Sequence, residues 1–121
     1  LKEGQTLNIA LSFPGLVEGL SYTYPNPATG GTANIQFYTG YGSPDKKILI
    51  FNIAGELVRS VVDSEITAKA GKAAGTYEFS WNCRNDGGSS VASGVYIYVL
   101  EVRDTGTGET AKLIKKFAII R

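Results

Sequence analysis

The sequence predicts an all-β domain in which two antiparallel sheets pack face to face. Three features indicate this fold: short runs of alternating apolar and polar residues, two fully apolar runs, and turn-forming residues between the runs. The chain has 121 residues, 43% hydrophobic and 19% charged, a balance typical of one folded domain. About seven strands with turns at near-regular spacing indicate a sandwich or a small barrel. We favour an immunoglobulin-like Greek-key sandwich.

Seven runs of residues are predicted to be strands. Three of them alternate between apolar and polar residues, as half-buried strands do: residues 6–13, 33–38 and 77–82. Residues 48–51 and 95–100 are apolar at every position, which is typical of central strands. We expect the partner sheet to cover one face of these strands, and loops or a neighbouring domain to cover the other. The remaining strands are predicted at residues 57–62 and 110–120.

Turn-forming residues separate these strands. Glycine, proline, asparagine and aspartate cluster in four places: residues 25–31, 40–45, 85–88 and 104–108. Ala54-Gly55 is short enough to close a hairpin, with Gly55 in the left-handed conformation. Residues 64–74 are expected to cross between the sheets, with a short helical turn at residues 66–70 as the alternative.

The composition argues against an enzyme and against a metal or cofactor site. Histidine is absent, so the commonest general base and zinc ligand is missing, and nothing activates the thiol of Cys83. The eleven acidic residues fall mostly in turns and on strand faces, so no catalytic carboxylate pair is expected. Asn85-Asp86 and Asp104-Thr105 lack the alternating acidic spacing of a calcium loop. We therefore predict a non-catalytic domain without a cofactor.

Charge and hydropathy also exclude two kinds of partner. The net charge of +1 gives no strong attraction for nucleic acid or for an anionic membrane surface. The longest apolar run has six residues, whereas a membrane-spanning helix needs about 20. We expect neither a nucleic-acid partner nor a transmembrane segment.

Two sets of surface residues are candidates for binding. Lys112, Lys115 and Lys116 are either edge-strand lysines that prevent aggregation or a basic docking surface. Four tyrosines lie within residues 22–41, and a row of aromatic rings can stack on sugars. Tyr38 and Tyr41 are the candidate sugar-stacking residues, and Tyr38 is predicted to face outward from its strand.

Five segments, taken in order, resemble two groups of domains. They are residues 24–37, 48–59, 74–81, 91–98 and 115–121. Together they resemble the C-terminal domains of proteins exported by the type IX secretion system and the immunoglobulin-like domain of flagellar hook-capping proteins. The resemblance covers about residues 22–121, and residues 6–13 precede its usual start. Asn82-Cys83 departs from it, because those domains often have an acidic residue and a glycine there.

The residues that carry the resemblance are mostly ones that shape the fold. They are Pro25, Asn26, Pro27, Gly55, Trp81, Gly94 and Tyr96. We expect Trp81 to fill the core between the sheets, and Tyr96 and Tyr98 to share one face of a strand. Gly94 is expected to open that strand at a place where a Cβ would meet a neighbour.

The resemblance implies a non-catalytic C-terminal module of a secreted or cell-surface bacterial protein, exported through the periplasm. The implied role is a sorting or anchoring signal read by the secretion machinery and carried by Lys115, Lys116, Phe117 and Ile119. The alternatives are a structural domain that contacts neighbouring domains or weakly self-associates, and a carbohydrate-binding module. Because the chain starts at Leu1 and lacks methionine, we expect residues 1–121 to be one domain of a longer protein.

Overall fold

A computed structural model describes residues 15–121, in which eight strands form two antiparallel sheets. The strands are β1 Tyr22–Tyr24, β2 Ala33–Tyr38, β3 Pro44–Asn52, β4 Leu57–Val61, β5 Thr67–Ala68, β6 Thr76–Trp81, β7 Gly94–Asp104 and β8 Thr110–Ile119. Single 3-10 turns lie at Glu18–Leu20 and Asp63–Glu65. The predicted all-β class is confirmed, and the strand predicted at residues 6–13 lies outside the described residues.

The strand order is that of an immunoglobulin-like sandwich. The first sheet has the order β1-β2-β6-β5 and the second has the order β4-β3-β7-β8. The paired strands in both sheets run antiparallel. The chain crosses between the sheets after β2, after β4 and after β6, as a Greek-key connection requires. The predicted topology is therefore confirmed.

The two apolar runs form the central strands of the second sheet, as predicted. β3 pairs with β7 along its whole length, and β7 pairs with β8 from Gly94 opposite Ile119 to Arg103 opposite Thr110. Both central strands are longer than the apolar runs. β3 already begins at Pro44, because a proline is tolerated at the first position of a strand, so the predicted loop at residues 40–45 is shorter.

The sequence prediction misses two short strands. β1 has three residues and β5 has two, which is too short for alternation to show. β5 lies within the predicted crossing segment and pairs with β6 through Thr67 opposite Glu78. The predicted hairpin between β3 and β4 is confirmed: Gly55 has φ +85° and donates its N–H to the Asn52 carbonyl over 3.0 Å.

Aromatic side chains from both sheets meet in the core. Trp81 of β6 is fully buried, and its ring lies 5.9 Å from that of Tyr96 and 6.1 Å from that of Phe117, edge to face in both cases. Tyr96 and Tyr98 share the buried face of β7, as predicted. This aromatic cluster joins β6 of the first sheet to β7 and β8 of the second.

Backbone conformation, rather than space, explains the glycine at position 94. In the described part of the chain, no atom beyond its sequence neighbours lies within 4 Å of where its Cβ would be, so the expected close contact is wrong. Gly94 has φ +157°, a value that residues with a side chain rarely adopt. Cys83 has φ +58° although it carries a Cβ. That conformation costs about 1–2 kcal/mol in a residue other than glycine, so the backbone of this turn is strained.

Candidate functional site

The strand β8 forms one edge of the second sheet and carries the residues predicted to act in sorting. Near its end, the segment with the two prolines lies against it. Ala28 donates its N–H to the Ala118 carbonyl and accepts one from Ile120, both over 2.9 Å. The Asn26 side chain accepts the N–H of Ala118 over 3.0 Å. The Pro25-Asn26-Pro27 motif therefore fixes the end of β8, with both X-Pro bonds cis.

The rest of β8 presents an open edge, which we define as Lys112, Ile114 and Lys116. Ala118 directs its backbone N–H and carbonyl away from β7, and alternation along the strand gives these three residues the same direction. Among residues 15–121, no further strand pairs with them. Unpaired backbone groups of this kind can bind an additional strand.

The four residues predicted for sorting fall into two environments. Phe117 and Ile119 are only 3% and 2% exposed, so they anchor β8 in the core. Lys115 points to the same side, and its Nζ donates to the carbonyls of Glu18 over 3.0 Å and Ser21 over 2.5 Å. Lys116 is exposed on the opposite side. Of the four, only Lys116 is available to a partner.

Ile114 is the exposed edge residue that the sequence analysis misses. Its side chain is 63% exposed, between Lys112 and Lys116 on the same side of β8. The signal was present in the sequence, because counting in twos from the buried Phe117 places Leu113 inward and Ile114 outward. Because Leu113 and Ile114 are both aliphatic, residue type alone does not show which of the two is exposed.

The outward face of the second sheet is apolar next to this edge. We call it the apolar face; its residues are Leu49, Phe51, Val95, Ile97, Val99 and Ile114. Leu49, Val99 and Ile114 form one row across three strands. Val95 is 40% exposed and Ile53, just past β3, is 73% exposed. A contiguous apolar surface of this kind is typical of a contact with another protein surface.

The loops considered for metal binding bond to their own backbone instead. Asn85 Oδ1 accepts the N–H of Ser89 over 2.9 Å, and Asp104 Oδ1 accepts that of Gly106 over 3.0 Å. Within residues 15–121, no three acidic or cysteine side chains group as metal ligands would. None of the helices described there has the length and apolar character to cross a membrane.

The single cysteine is a buried structural residue. The Cys83 side chain is fully buried, and burial raises the pKa of its thiol, while the charge of Arg121 acts in the opposite direction. A protonated, inaccessible thiol is a poor nucleophile. The Cys83 carbonyl accepts a hydrogen bond from the Arg121 guanidinium over 2.8 Å, which ties this turn to the end of the chain.

The two candidate sugar-stacking tyrosines lie in different places. Tyr38 lines an open groove on the outward face of the first sheet, together with Tyr22 and Gln36. Tyr41 does not line this groove; it packs against the core beside Gly15. Burial raises the pKa of Tyr41, and the carboxylates of Glu109 and Asp104 add to the effect. The structure thus pairs Tyr38 with Tyr22 rather than with Tyr41.

Residues 22–106 match the family model for the FlgD Ig-like domain. The chain belongs to this family. The family recognition made from the sequence is confirmed, and the matched region runs from β1 through β7. No curated protein matches the sequence.

Three solved structures similar to this domain come from much larger proteins. PorZ of Porphyromonas gingivalis, an essential bacterial surface component of the type-IX secretion system, is 27% identical over 84% of this chain and 11% of its own (TM-score 0.49). Dimeric latent PorU of the same organism is 21% identical over 84% and 9% (TM-score 0.61). Chitinase ChiW of Paenibacillus sp. str. FPU-7, a cell-surface-expressed multi-modular enzyme, is 13% identical over 88% and 9% (TM-score 0.52). This FlgD Ig-like domain spans about a tenth of each. PorU and ChiW share its fold.

Proposed function

We propose that this domain is a non-catalytic C-terminal sorting or anchoring module of a secreted bacterial protein, recognised through the open edge of β8. The observation that carries the proposal is the division of β8 into a buried side and an open edge. Phe117 and Ile119 fix the strand, while Lys112, Ile114 and Lys116 expose backbone groups and positive charge. A partner strand from the export machinery would pair with this backbone, and the lysines would favour an acidic partner.

The resemblance to C-terminal domains of type IX cargo supports this role, since residues 91–98 and 115–121 share their pattern. In that route the protein crosses the periplasm before the domain is recognised at the outer membrane.

Removing residues 117–121 is a poor test of this proposal. The deletion takes Phe117 and Ile119 out of the core, so the domain would unfold whether or not the end of the chain is recognised. The test must change the open edge and leave the buried side intact.

Two variants of β8 meet this requirement in an export assay. Ile114→Pro removes one N–H from the open edge, and that N–H does not take part in the pairing with β7. Lys116→Glu reverses one exposed charge. Fused to a reporter in a bacterium with a type IX system, each variant should lower the exported fraction at least fivefold, with Ile114→Pro having the larger effect.

Lys72→Glu is the matched control, because it makes the same charge change at an exposed position outside β8. It should leave export unchanged. Thermal melting of each purified domain verifies that the variants fold. Export of both β8 variants at the wild-type level would refute recognition through this edge.

The apolar face favours a second candidate function, a structural domain that packs against a neighbouring domain or another copy. This function uses the side chain of Ile114, which belongs to both surfaces, but it does not need the unpaired backbone groups of β8. It predicts that Ile97→Lys weakens the contact, while Ile114→Pro leaves export unchanged. The two functions therefore give different results for the proline variant in the export assay: lowered export for the sorting role and unchanged export for the structural role.

A further inference from the structure

The outward face of the first sheet holds a groove that the proposed sorting role does not use. It encloses about 440 Å³, within the range of about 300–1,000 Å³ typical of small-molecule sites. Its lining includes Tyr22 of β1, Gln36 and Tyr38 of β2, Thr76 of β6, and the side chains of Leu20 and Lys72. Tyr22 lies opposite Gln36 in the sheet, and Tyr38 lies opposite Thr76.

Both tyrosine rings are held in place by the protein itself. The Tyr22 hydroxyl accepts a hydrogen bond from Gln36 Nε2 over 2.7 Å. The Tyr38 ring lies directly over Gly75, where an added Cβ would come within 2.9 Å of Tyr38 Cε1 and 2.6 Å of the Thr39 carbonyl oxygen. Gly75 also has φ +98°, so its position requires a glycine. Rings that are already ordered lose little entropy when a ligand binds.

The floor of the groove is polar although it is nearly buried. Gln36 is 5% exposed and Thr76 is 8% exposed. A glutamine amide offers two donors and one acceptor, and the bond to Tyr22 uses one donor. The Thr76 hydroxyl can both donate and accept a hydrogen bond. These groups can therefore bond to a ligand in the groove.

The two tyrosine rings and the polar floor of the groove favour one class of ligand over others. A lipid tail would leave the second donor and the acceptor of the Gln36 amide without a partner. A nucleic acid would need several cations, and Lys72 is the single charged residue among those named for the groove. A sugar ring has apolar C–H faces that pack on aromatic rings and hydroxyls that bond to amides and hydroxyl groups.

We propose that the groove between Tyr22 and Tyr38 binds a saccharide unit of a polysaccharide. One face of the sugar ring packs on the tyrosines, and its hydroxyls bond to Gln36 and Thr76. Gly75 acts through Tyr38, because its missing side chain leaves room for the ring beside the groove. Such a site would hold the secreted protein on a glycan-coated surface, whichever machinery exports it.

The test is affinity gel electrophoresis of the full 121-residue chain. Four gels contain xylan, mixed-linkage β-glucan, galactomannan or polygalacturonate, and a fifth contains no polysaccharide. The wild-type domain should be retarded in at least one of the four. Tyr22→Ala and Tyr38→Ala should each weaken the apparent affinity at least tenfold.

Tyr24→Ala is the matched control. Tyr24 lies two residues from Tyr22 on the same strand, with the two ring centroids 5.9 Å apart, but its hydroxyl is bonded to Glu78 and Lys69 and it does not line the groove. Its loss should change the affinity less than twofold. Absence of retardation in all four gels would overturn the proposal, as would wild-type retardation of a Tyr38→Ala domain that melts cooperatively.

Discussion

The two outward faces of the sandwich differ in composition although both belong to four-stranded sheets. The first sheet shows tyrosines and polar groups that pair with one another: the Ser80 hydroxyl donates to Asn34 Oδ1 over 2.7 Å, and Lys69 forms an ion pair with Glu78 over 3.3 Å. The second sheet shows the apolar face, with Ile114 63% exposed. The first face resembles a ligand-binding surface, and the second resembles half of a protein interface.

The difference in composition between the two outward faces is visible in the sequences of their strands. β2 and β6 alternate between apolar and polar residues, because only one of their faces packs on the core. β3 and β7 contain runs that are apolar on both faces, at residues 48–51 and 95–100, and within residues 15–121 no further layer of the fold covers their second face. A strand that is apolar on both sides thus predicts a contact beyond the domain as well as a position inside the sheet.

The largest expected effect comes from the core that both faces share. Trp81→Ala removes the fully buried ring that contacts Tyr96 and Phe117, so it should lower the free energy of unfolding by about 3–5 kcal/mol. Urea titration monitored by far-ultraviolet circular dichroism measures this change. A loss below about 1 kcal/mol would mean that the two sheets do not depend on this cluster.

The second-largest effect is expected on self-association, where a new charge should act differently on the two outward faces. Ile114→Lys places a charge on the apolar face, and Ser80→Lys places one on the exposed polar face. If the apolar face mediates weak self-association, Ile114→Lys should raise the dissociation constant about tenfold, the equivalent of about 1.4 kcal/mol. Ser80→Lys should leave it unchanged. Sedimentation equilibrium at increasing protein concentration measures the dissociation constants. Equal changes for the two variants would mean that the apolar face is not the surface of self-association.

A smaller effect tests the strained turn after β6, which holds the aromatic core in register. Cys83 has φ +58°, so Cys83→Gly relieves backbone strain while Cys83→Ala retains it. Both variants lose the buried sulfur. We therefore expect Cys83→Gly to be more stable than Cys83→Ala by about 1 kcal/mol, the reverse of the usual order of alanine and glycine. Thermal melts of the pair would contradict the assignment if alanine were the more stable.

The smallest effect concerns an ion pair that links the sheets. Lys46 of β3 is 7% exposed; its Nζ lies 2.8 Å from Asp63 Oδ1 and 4.2 Å from the centroid of the Tyr77 ring on β6. The hydrogen bond from Lys46 lowers the pKa of the Asp63 carboxyl below its usual value. Stability from this carboxylate is therefore present above the unfolded-state pKa of about 3.9 and is lost as the pH falls through the lower folded-state value.

Asp63→Asn should accordingly be less stable than the wild type at pH 7, by a small amount because Asp63 is half exposed. The difference should shrink as the pH falls below about 4. Denaturant titrations at pH 7, 5 and 3 measure it. If the stability difference between wild type and Asp63→Asn grew as the pH fell, the Asp63 carboxylate would not be stabilised by Lys46 as described.

Much of the architecture could be predicted from local patterns. Alternation in residues 33–38 and 77–82 identified β2 and β6, and the turn at Ala54-Gly55 identified the hairpin. β1 and β5 could not be predicted, because two or three residues are too few to show a period of two.

The sorting residues could be predicted only in part. The sequence shows that Lys115 is charged, but it does not show that its Nζ bonds to the carbonyls of Glu18 and Ser21. Nearness in sequence predicts that Tyr41 stacks on a sugar beside Tyr38, but the spatial neighbours of Tyr41 depend on how the chain turns after β2.

Hydrogen exchange of the amide protons of β8 tests the central claim most directly, because the proposed recognition requires an unpaired backbone edge. In the isolated domain, the amides of Lys112, Ile114 and Lys116 should exchange within minutes, while those of Leu113, Lys115 and Phe117, which face β7, should be protected at least a hundredfold more strongly. Equal protection of the two sets, measured by nuclear magnetic resonance, would show that the edge is already occupied and would contradict the account.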